Sequence, residues 1–460
     1  MNLIVIGGNP AGLSAASGAR RAHPDWEIVV FERGGYVSYG SCGLPYYSYD
    51  LVPSKNKLIT LTPQVLQEKR NIPVKLFHEV TSIDFTKKTV IVQDITNHNK
   101  KQANYDYLVI AVGAKPKRLP IEHPNIFYIH TIPDADRIKT KVRQNVESGH
   151  FQSGVIIGSG YIGLEMAEVY RELGIDNLTI IGPRLLYRSK SQQFIRDELE
   201  KHGVKVISGQ YIKEIAPVDD TTLKVQLEDG SSIPTNFVHV SIGVMPNTSF
   251  LQGSPLNMDE KTGAIIVDEF MRTNIEAVYA AGDCVTSYHR LLNNHVYVPL
   301  APAANKQGRV AGKMLAARGD TSKVLPFPGI VGTSLWKVFD LYCGKTGLEK
   351  HQAEALGYEV GSTLITTNEI AHYYPNTRGK FEEKMSLLLL FDVKSHELLG
   401  AEITSPQPIG AKKIDVLATA LYGNMTIDDL QQLDLGYQPA FSPVWDPINV
   451  AANVAGKKLK

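Results

Sequence analysis

Cysteine is scarce in this chain. Among 460 residues only Cys42, Cys284 and Cys343 carry a thiol. They lie far apart and form neither a CxxC motif nor a zinc-ligand spacing, so a disulfide framework and a structural zinc site find no support. An excess of charge of one sign is absent too: 48 Lys and Arg stand against 47 Asp and Glu, for a net charge of +1. That balance argues against nucleic acid or an anionic membrane as the main partner. Long apolar runs are missing, and the aliphatic stretch Leu387 to Leu390 is far too short to cross a bilayer. The N-terminal "MNLIVIGG" enters an apolar strand at once, without the basic start and long apolar centre of a signal peptide. A reducing cytoplasm is therefore expected, with at most one reactive thiol.

What is present is an ordinary globular composition, 43% hydrophobic and 21% charged, in a chain long enough for two to four domains. The opening reads as a strand (Leu3 to Ile6), a glycine turn (Gly7 to Gly12), a helix (about Leu13 to Ala22) and a strand (Ile28 to Phe31). The same plan returns with the run Val155 to Ile157, the turn "GSGYIG" from Gly158 to Gly163, and a helix. Ile162, Met166, Val169 and Leu173 fall on one face of that helix. "LTII" (Leu178 to Ile181) is the strand that follows. Two β-α-β openings about 150 residues apart imply two nucleotide-binding units of α/β type. From about Pro326 the pattern changes to strands around Leu335 to Tyr342 and Met385 to Phe391. A helix with Ile414, Leu417, Ala418 and Leu421 on one face follows, and then "TIDD" (Thr426 to Asp429), which has capping-box spacing. This tail reads as an α+β domain.

Each glycine turn points to a dinucleotide. A pyrophosphate is bound by backbone N–H groups at a helix start, and glycines let the backbone approach it. The first turn, "GGNPAG", offers Gly7, Gly8, Asn9, Pro10, Ala11 and Gly12, with Asn9 where a middle glycine is usual. Alone it could be a structural turn. Glu32, twenty residues beyond Gly12 at the end of the second strand, supplies a carboxylate for a ribose diol. The second turn carries the full pattern in Gly158, Gly160 and Gly163. No acidic residue ends its following strand; Gly182 stands there, with Arg184 and Arg188 just beyond. Guanidinium groups without a carboxylate suit the 2′-phosphate of NADPH, although both arginines could equally be solvated loop residues. Two dinucleotide sites in one chain imply electron transfer from a nicotinamide to a flavin.

The stretch "FERGGYVSYGSCGLPYY" resembles the signature of FAD-dependent pyridine nucleotide–disulfide oxidoreductases that use a single cysteine. Segments along nearly the whole chain share the resemblance, among them "YDYLVIAVGAKP", "GSGYIGLEMAE", "YAAGDCV", "TGLEKHQA", "HYYP" and "LGYQPAFSPVWDPIN". It implies an FAD-binding domain in two parts, 1–116 and 249–325, an NAD(P)H-binding domain at 117–248 and a C-terminal dimerisation domain at 326–460. The flavin would be held by the first turn with Glu32, Arg33, Ser41, Ala111, Val112, Gly113, Gly282, Asp283, Pro299, Leu300 and Ala301. The nicotinamide nucleotide would meet the second turn with Tyr161, Ile162, Glu165, Arg184, Arg188 and Gly243. Cys42 would be the redox thiol, its pKa lowered by a helix starting near Gly43. The other two cysteines would be structural.

Two-cysteine relatives carry a partner thiol five residues earlier, where this chain has Val37, so Cys42 would pair with an external sulfur or become a sulfenic acid. NADH oxidases and peroxidases of the family place a histidine in the first glycine loop; here Pro10 stands in that place, and proline transfers no proton. "CGLPYY" and the pair Arg20–Arg21 resemble coenzyme A disulfide reductases instead. That comparison implies CoA held by Ser14, Arg20, Arg21, Ser38, Arg70, Asn305 and Arg309, unless the arginines only solubilise a helix end. It also implies a homodimer with shared active sites, into which Tyr373 and Tyr437 reach from the other subunit; on composition alone both tyrosines could be core packing. The rival expectations are a persulfide or polysulfide reductase, whose members usually add a C-terminal rhodanese domain that a chain ending at Lys460 leaves no room for, an NADH oxidase or peroxidase, and a flavin-bound redox sensor without turnover.

Overall fold

A computed structural model describes residues 1–219, 221–375, 379 and 383–459. Two parallel five-stranded sheets repeat one plan. In the first, Asn2–Ile6 lies between Glu27–Phe31 and Tyr107–Ile110; Val74–Lys75 and Val278–Ala280 complete the edges. In the second, Ser153–Ile157 takes the central place between Asn177–Gly182 and Phe237–Val240; Val204–Ser208 and Ile126–Phe127 flank them. The strands are near-continuous runs of Val, Ile and Leu because helices and meanders cover both faces of each sheet. The late strand Val278–Ala280 returns to the first sheet, so the second unit interrupts the first along the chain. The antiparallel pair Ala114–Pro116 with Val244–Pro246 marks the crossings between them.

The first helix, Pro10–Ala22, starts three residues earlier than its apolar pattern indicates. Pro10 supplies a preset φ at the first turn, where a missing N–H costs nothing. This helix packs closely on Ala301–Ala316. A Cβ on Gly308 would lie 2.3 Å from the Ala11 carbonyl oxygen, and one on Gly18 would lie 2.8 Å from the Gly312 Cα.

The C-terminal domain is an antiparallel five-stranded sheet in the order Ser334–Val338, Leu341–Gly347, Leu398–Ser405, Lys384–Asp392, Val360–Asn368. The region Leu335 to Tyr342 is thus a hairpin rather than one strand, turning at Phe339 with φ 49°. "TIDD" caps Ile427–Gln432 reciprocally through Thr426 and Asp429. One apolar core joins three parts of the chain: Leu44 and Tyr47 beside Cys42, the second sheet with its helices, and Trp336, Val338 and Phe339 of the hairpin. The segment carrying the thiol is therefore braced by the other two domains. Among the described residues no helix is long and apolar enough to cross a membrane.

Candidate active site

The first glycine turn opens a cavity at the carboxyl ends of its sheet, where ligands of open α/β sheets bind. Gly7, with φ +107°, has the Ala111 carbonyl oxygen 2.1 Å from where a Cβ would stand; only glycine fits there. Glu32 bridges the turn: its Oε2 accepts from Gly8 N–H at 2.9 Å and its Oε1 from Gly34 N–H at 2.7 Å. Gly7, Gly8, Asn9, Pro10, Ala11, Glu32, Arg33, Ser41, Ala111, Val112, Gly113, Gly282, Asp283 and Ala301 all line this cavity. Gly12 is buried in the first helix, while Pro299 and Leu300 immediately precede Ala301–Ala316, with Leu300 as its N-cap. The buried Asn9 Oδ1 has no partner, an acceptor left for a ligand in a cradle of backbone N–H groups. The residues fit FAD.

Other lining residues escaped the sequence reading: Tyr36, Tyr39, and the run His130 to Pro133. The last has a sequence signal, since Thr131 and Asp134 form a capping box on the helix Ile132–Glu147.

The second turn reproduces the first. Gly158 has φ +104° and its Cβ position lies 2.3 Å from the Ser241 carbonyl oxygen. Gly160 precedes the helix Tyr161–Glu172 as its N-cap, and Tyr161 and Ile162 form the first turn with Gly163. Gly243, across the sheet end, accepts from Lys117 N–H at 3.0 Å. The missing acidic residue at position 182 has a steric reason: a Cβ there would stand 2.3 Å from Ser159 Oγ. Arg184 is exposed. Arg188 is ion-paired with Glu349, Nε to Oε2 at 3.2 Å.

Cys42 is free and exposed, in a 3-10 turn (Ser41–Gly43) that precedes the short helix Leu44–Ser48. Its thiol pKa is raised, first by desolvation and then by the charges of Glu165 and Asp283. This corrects the expected lowering, because a five-residue helix has a small dipole while desolvation, and then the charges of two carboxylates, disfavour the thiolate. Glu165 itself is pushed up to about 7, by burial first and by Glu168 second. Glu168, one turn further along the same helix, is satisfied by Lys337 Nζ at 2.6 Å, Phe339 N–H at 3.0 Å and Tyr49 O–H at 3.3 Å. Its proximity disfavours charge on Glu165. Burial raises Asp283 as well. Cys284 is buried, donates to the Ile110 and Ala281 carbonyls and is pushed up to about 12; Cys343 is also buried.

A second cavity adjoins the first, with Pro10 and Tyr39 lining both. Ser14, Arg21, Ser38, Arg70, Asn305 and Arg309 line it, and Thr60 and Leu61 were not anticipated. Asn305 Nδ2 donates to Ser14 Oγ at 3.4 Å. Ser38 adopts φ 50°, held by backbone bonds from its N–H to Gly8 and from Thr60 N–H to its carbonyl. Arg20 departs from expectation. Its guanidinium donates to the Pro24 carbonyl at 2.7 Å and the Trp26 carbonyl at 2.8 Å, so it fastens the turn after the first helix and is absent from the cavity.

Tyr373 and Tyr437 are 57% and 48% exposed, so neither is core packing. Their hydroxyls lie 2.8 Å apart, and that bond is the main cause raising the Tyr437 pKa. The His372 ring stands edge-on to Tyr373.

Residues 1–308 match the family model described as pyridine nucleotide-disulphide oxidoreductase, and residues 333–447 match the dimerisation domain of the same name. The chain is 35% identical to the NAD(P)H sulfur oxidoreductase (CoA-dependent) of Pyrococcus furiosus, over 98% of both chains. It is 30% identical to the coenzyme A disulfide reductase of Staphylococcus haemolyticus, over 97% of this chain and 98% of that one. Among solved structures, an NAD-dependent persulfide reductase from A. fulgidus superposes with a TM-score of 0.91 at 35% identity, over 100% of this chain and 83% of that chain.

Proposed function

The chain belongs to the pyridine nucleotide-disulphide oxidoreductase family, flavoproteins that use FAD and NAD(P)H, and from that premise we propose that it reduces CoA disulfide, or a related low-molecular-weight disulfide, at Cys42 with NADPH as donor. FAD bound at the first glycine turn would take hydride from the nicotinamide and supply two electrons to a disulfide bond. The protein's own part is binding, exchange and proton placement. The Cys42 thiolate attacks one sulfur of the substrate; the S–S bond breaks and one CoA leaves as thiolate. A mixed disulfide between Cys42 and the second CoA remains. Its two-electron reduction releases that CoA and restores the Cys42 thiolate, so one NADPH and one proton yield two CoA thiols.

The observation that carries this reading is the second cavity. Arg21, Arg70 and Arg309 converge on it, and none has a carboxylate partner among the described residues. CoA carries a diphosphate and a 3′-phosphate, anions that guanidinium groups bind in bidentate geometry. The shared wall at Pro10 and Tyr39 would let the thiol arm pass from this cavity toward Cys42. The exposed Tyr373–Tyr437 pair would serve the thiol of a second copy: one phenol donates to the other, leaving one O–H for the departing sulfur. We infer a homodimer for that reason, with Phe441, Val444 and Trp445, 58%, 71% and 61% exposed, in the contact. The three free thiols suit a reducing cytoplasm.

A CoA-dependent persulfide or sulfur reductase is the second reading, supported by the Pyrococcus relative and the A. fulgidus neighbour. Peptide mass mapping of protein exposed to CoA disulfide without donor separates the first reading from a binding-only role. One CoA disulfide-linked to the Cys42 peptide, released by NADPH, is expected. Absence of the adduct from Cys42 would sink the proposal.

A further inference from the structure

The segment from Pro183 to Ser191 leaves the strand Asn177–Gly182 beside the second glycine turn, and the C-terminal sheet fixes it from outside. Tyr187 is fully buried, with its hydroxyl 2.8 Å from both the Gly344 and Ile403 carbonyl oxygens. Ser189 Oγ donates to Glu402. Between these anchors Arg188 extends to Glu349, which stands at the N-cap of the helix Lys350–Ala355. Glu349 also accepts from Lys345 Nζ at 3.0 Å on its other oxygen, and His351 Nδ1 lies 3.5 Å from the oxygen facing Arg188. The carboxylate is thus flanked by Lys345 and His351 of the C-terminal domain, and it in turn holds the guanidinium.

We propose that Glu349 is a specificity-determining residue for the nicotinamide nucleotide. By occupying Arg188 it withholds that guanidinium from a 2′-phosphate and leaves Arg184 as the loop's available guanidinium. The inference rests on the reading that the second glycine turn binds NAD(P)H. The Arg188–Glu349 contact is single-toothed, through Nε alone, with Arg188 41% exposed. Such a pair is weak in water-facing surroundings, whereas a phosphate offers several strong acceptors to the same fork. Glu349 therefore biases the choice of donor without abolishing use of NADPH. NADH has no 2′-phosphate and does not sense the competition. The effect of Glu349 consequently lies in the ratio of the two donors.

The test is anaerobic stopped-flow reduction of the FAD-loaded enzyme by NADH and by NADPH. Glu349→Gln should raise the NADPH-to-NADH ratio of second-order rate constants about 1.5- to fivefold, the range of a partly exposed ion pair. Adding Arg188→Ala to Glu349→Gln should remove the gain. Glu349→Ser keeps a cap acceptor for the helix and repeats the charge loss should the Gln variant fold poorly. An unchanged ratio in a folded variant, or a gain that survives in the double variant, would overturn the proposal. If neither nucleotide bleaches the flavin of the parent enzyme, the reading of the second glycine turn falls, and this inference with it.

Discussion

Glu165 and Glu168 stand three residues apart on the helix Tyr161–Glu172, and the cation Lys337 goes to Glu168. Burial first, and the neighbouring Glu168 second, push Glu165 up to about 7. Its folded-state pKa is raised above the usual carboxylate value of 4.5, so between those two pH values the native protein binds more protons than the unfolded chain. The stability this group contributes is present below about 4.5 and is lost as pH rises through about 7. Glu165→Gln removes that loss. Relative to the parent, the variant's urea midpoint should rise between pH 5 and pH 8; a constant difference would contradict the assignment. In the same variant Cys42 loses one of the two carboxylates that raise its pKa, so the pH profile of its alkylation should move to lower pH. Cys42 entered as the expected redox thiol through the resemblance that its surrounding motif carries, and that motif did not disclose the direction of its pKa. The carboxylate of Glu165 comes from a helix more than a hundred residues away, and no local pattern reports it. Arg20 and Arg21 show the same limit, because adjacent residues on a helix point in different directions: one meets the cavity and the other the turn.

At the scale of elements, the two β-α-β units were readable because their glycines answer a local steric demand. The packing of Pro10–Ala22 on Ala301–Ala316 was not readable, since the facing glycines lie some three hundred residues apart. That contact sets the wall of both cavities: the first helix brings Ser14 and Arg21, and the second brings Asn305 and Arg309. Gly308→Val would place a branched side chain against the Ala11 backbone, which cannot yield as a flexible side chain does. A stability loss of about 1–3 kcal/mol is expected from such overpacking, with weakened flavin retention, measured by urea unfolding and by the flavin-to-protein ratio. Parental stability with full flavin content would show that the helices can separate without cost. The hairpin at Phe339 was hidden for another reason. Phe339 adopts positive φ without being Gly, Asn or Asp, and Asp340 beside it is the only residue there that favours a turn.

At the scale of the whole molecule, function depends on parts that the chain order separates. The flavin cradle draws on residues near both ends of the first unit, and the core beside Cys42 includes the C-terminal hairpin. Tyr437 of the tyrosine pair is followed along the chain by the exposed Phe441, Val444 and Trp445. The order of motifs in the sequence disclosed the domains; the ties between them, Tyr187 to the C-terminal sheet and Arg188 to Glu349, appear only in three dimensions. Reduction of a disulfide by nicotinamide requires all these parts at once, so steady-state turnover examines the assembled account. The measurement is anaerobic oxidation of NADPH with CoA disulfide as the sole acceptor, comparing the parent with Cys42→Ser. The expected result is two CoA thiols formed per NADPH in the parent. In the variant, turnover should fall by at least about a hundredfold, on the scale of losing a covalent catalytic group, while the flavin is still reduced once. A parent that leaves CoA disulfide untouched, or a variant that turns it over at the parental rate, would contradict the assignment.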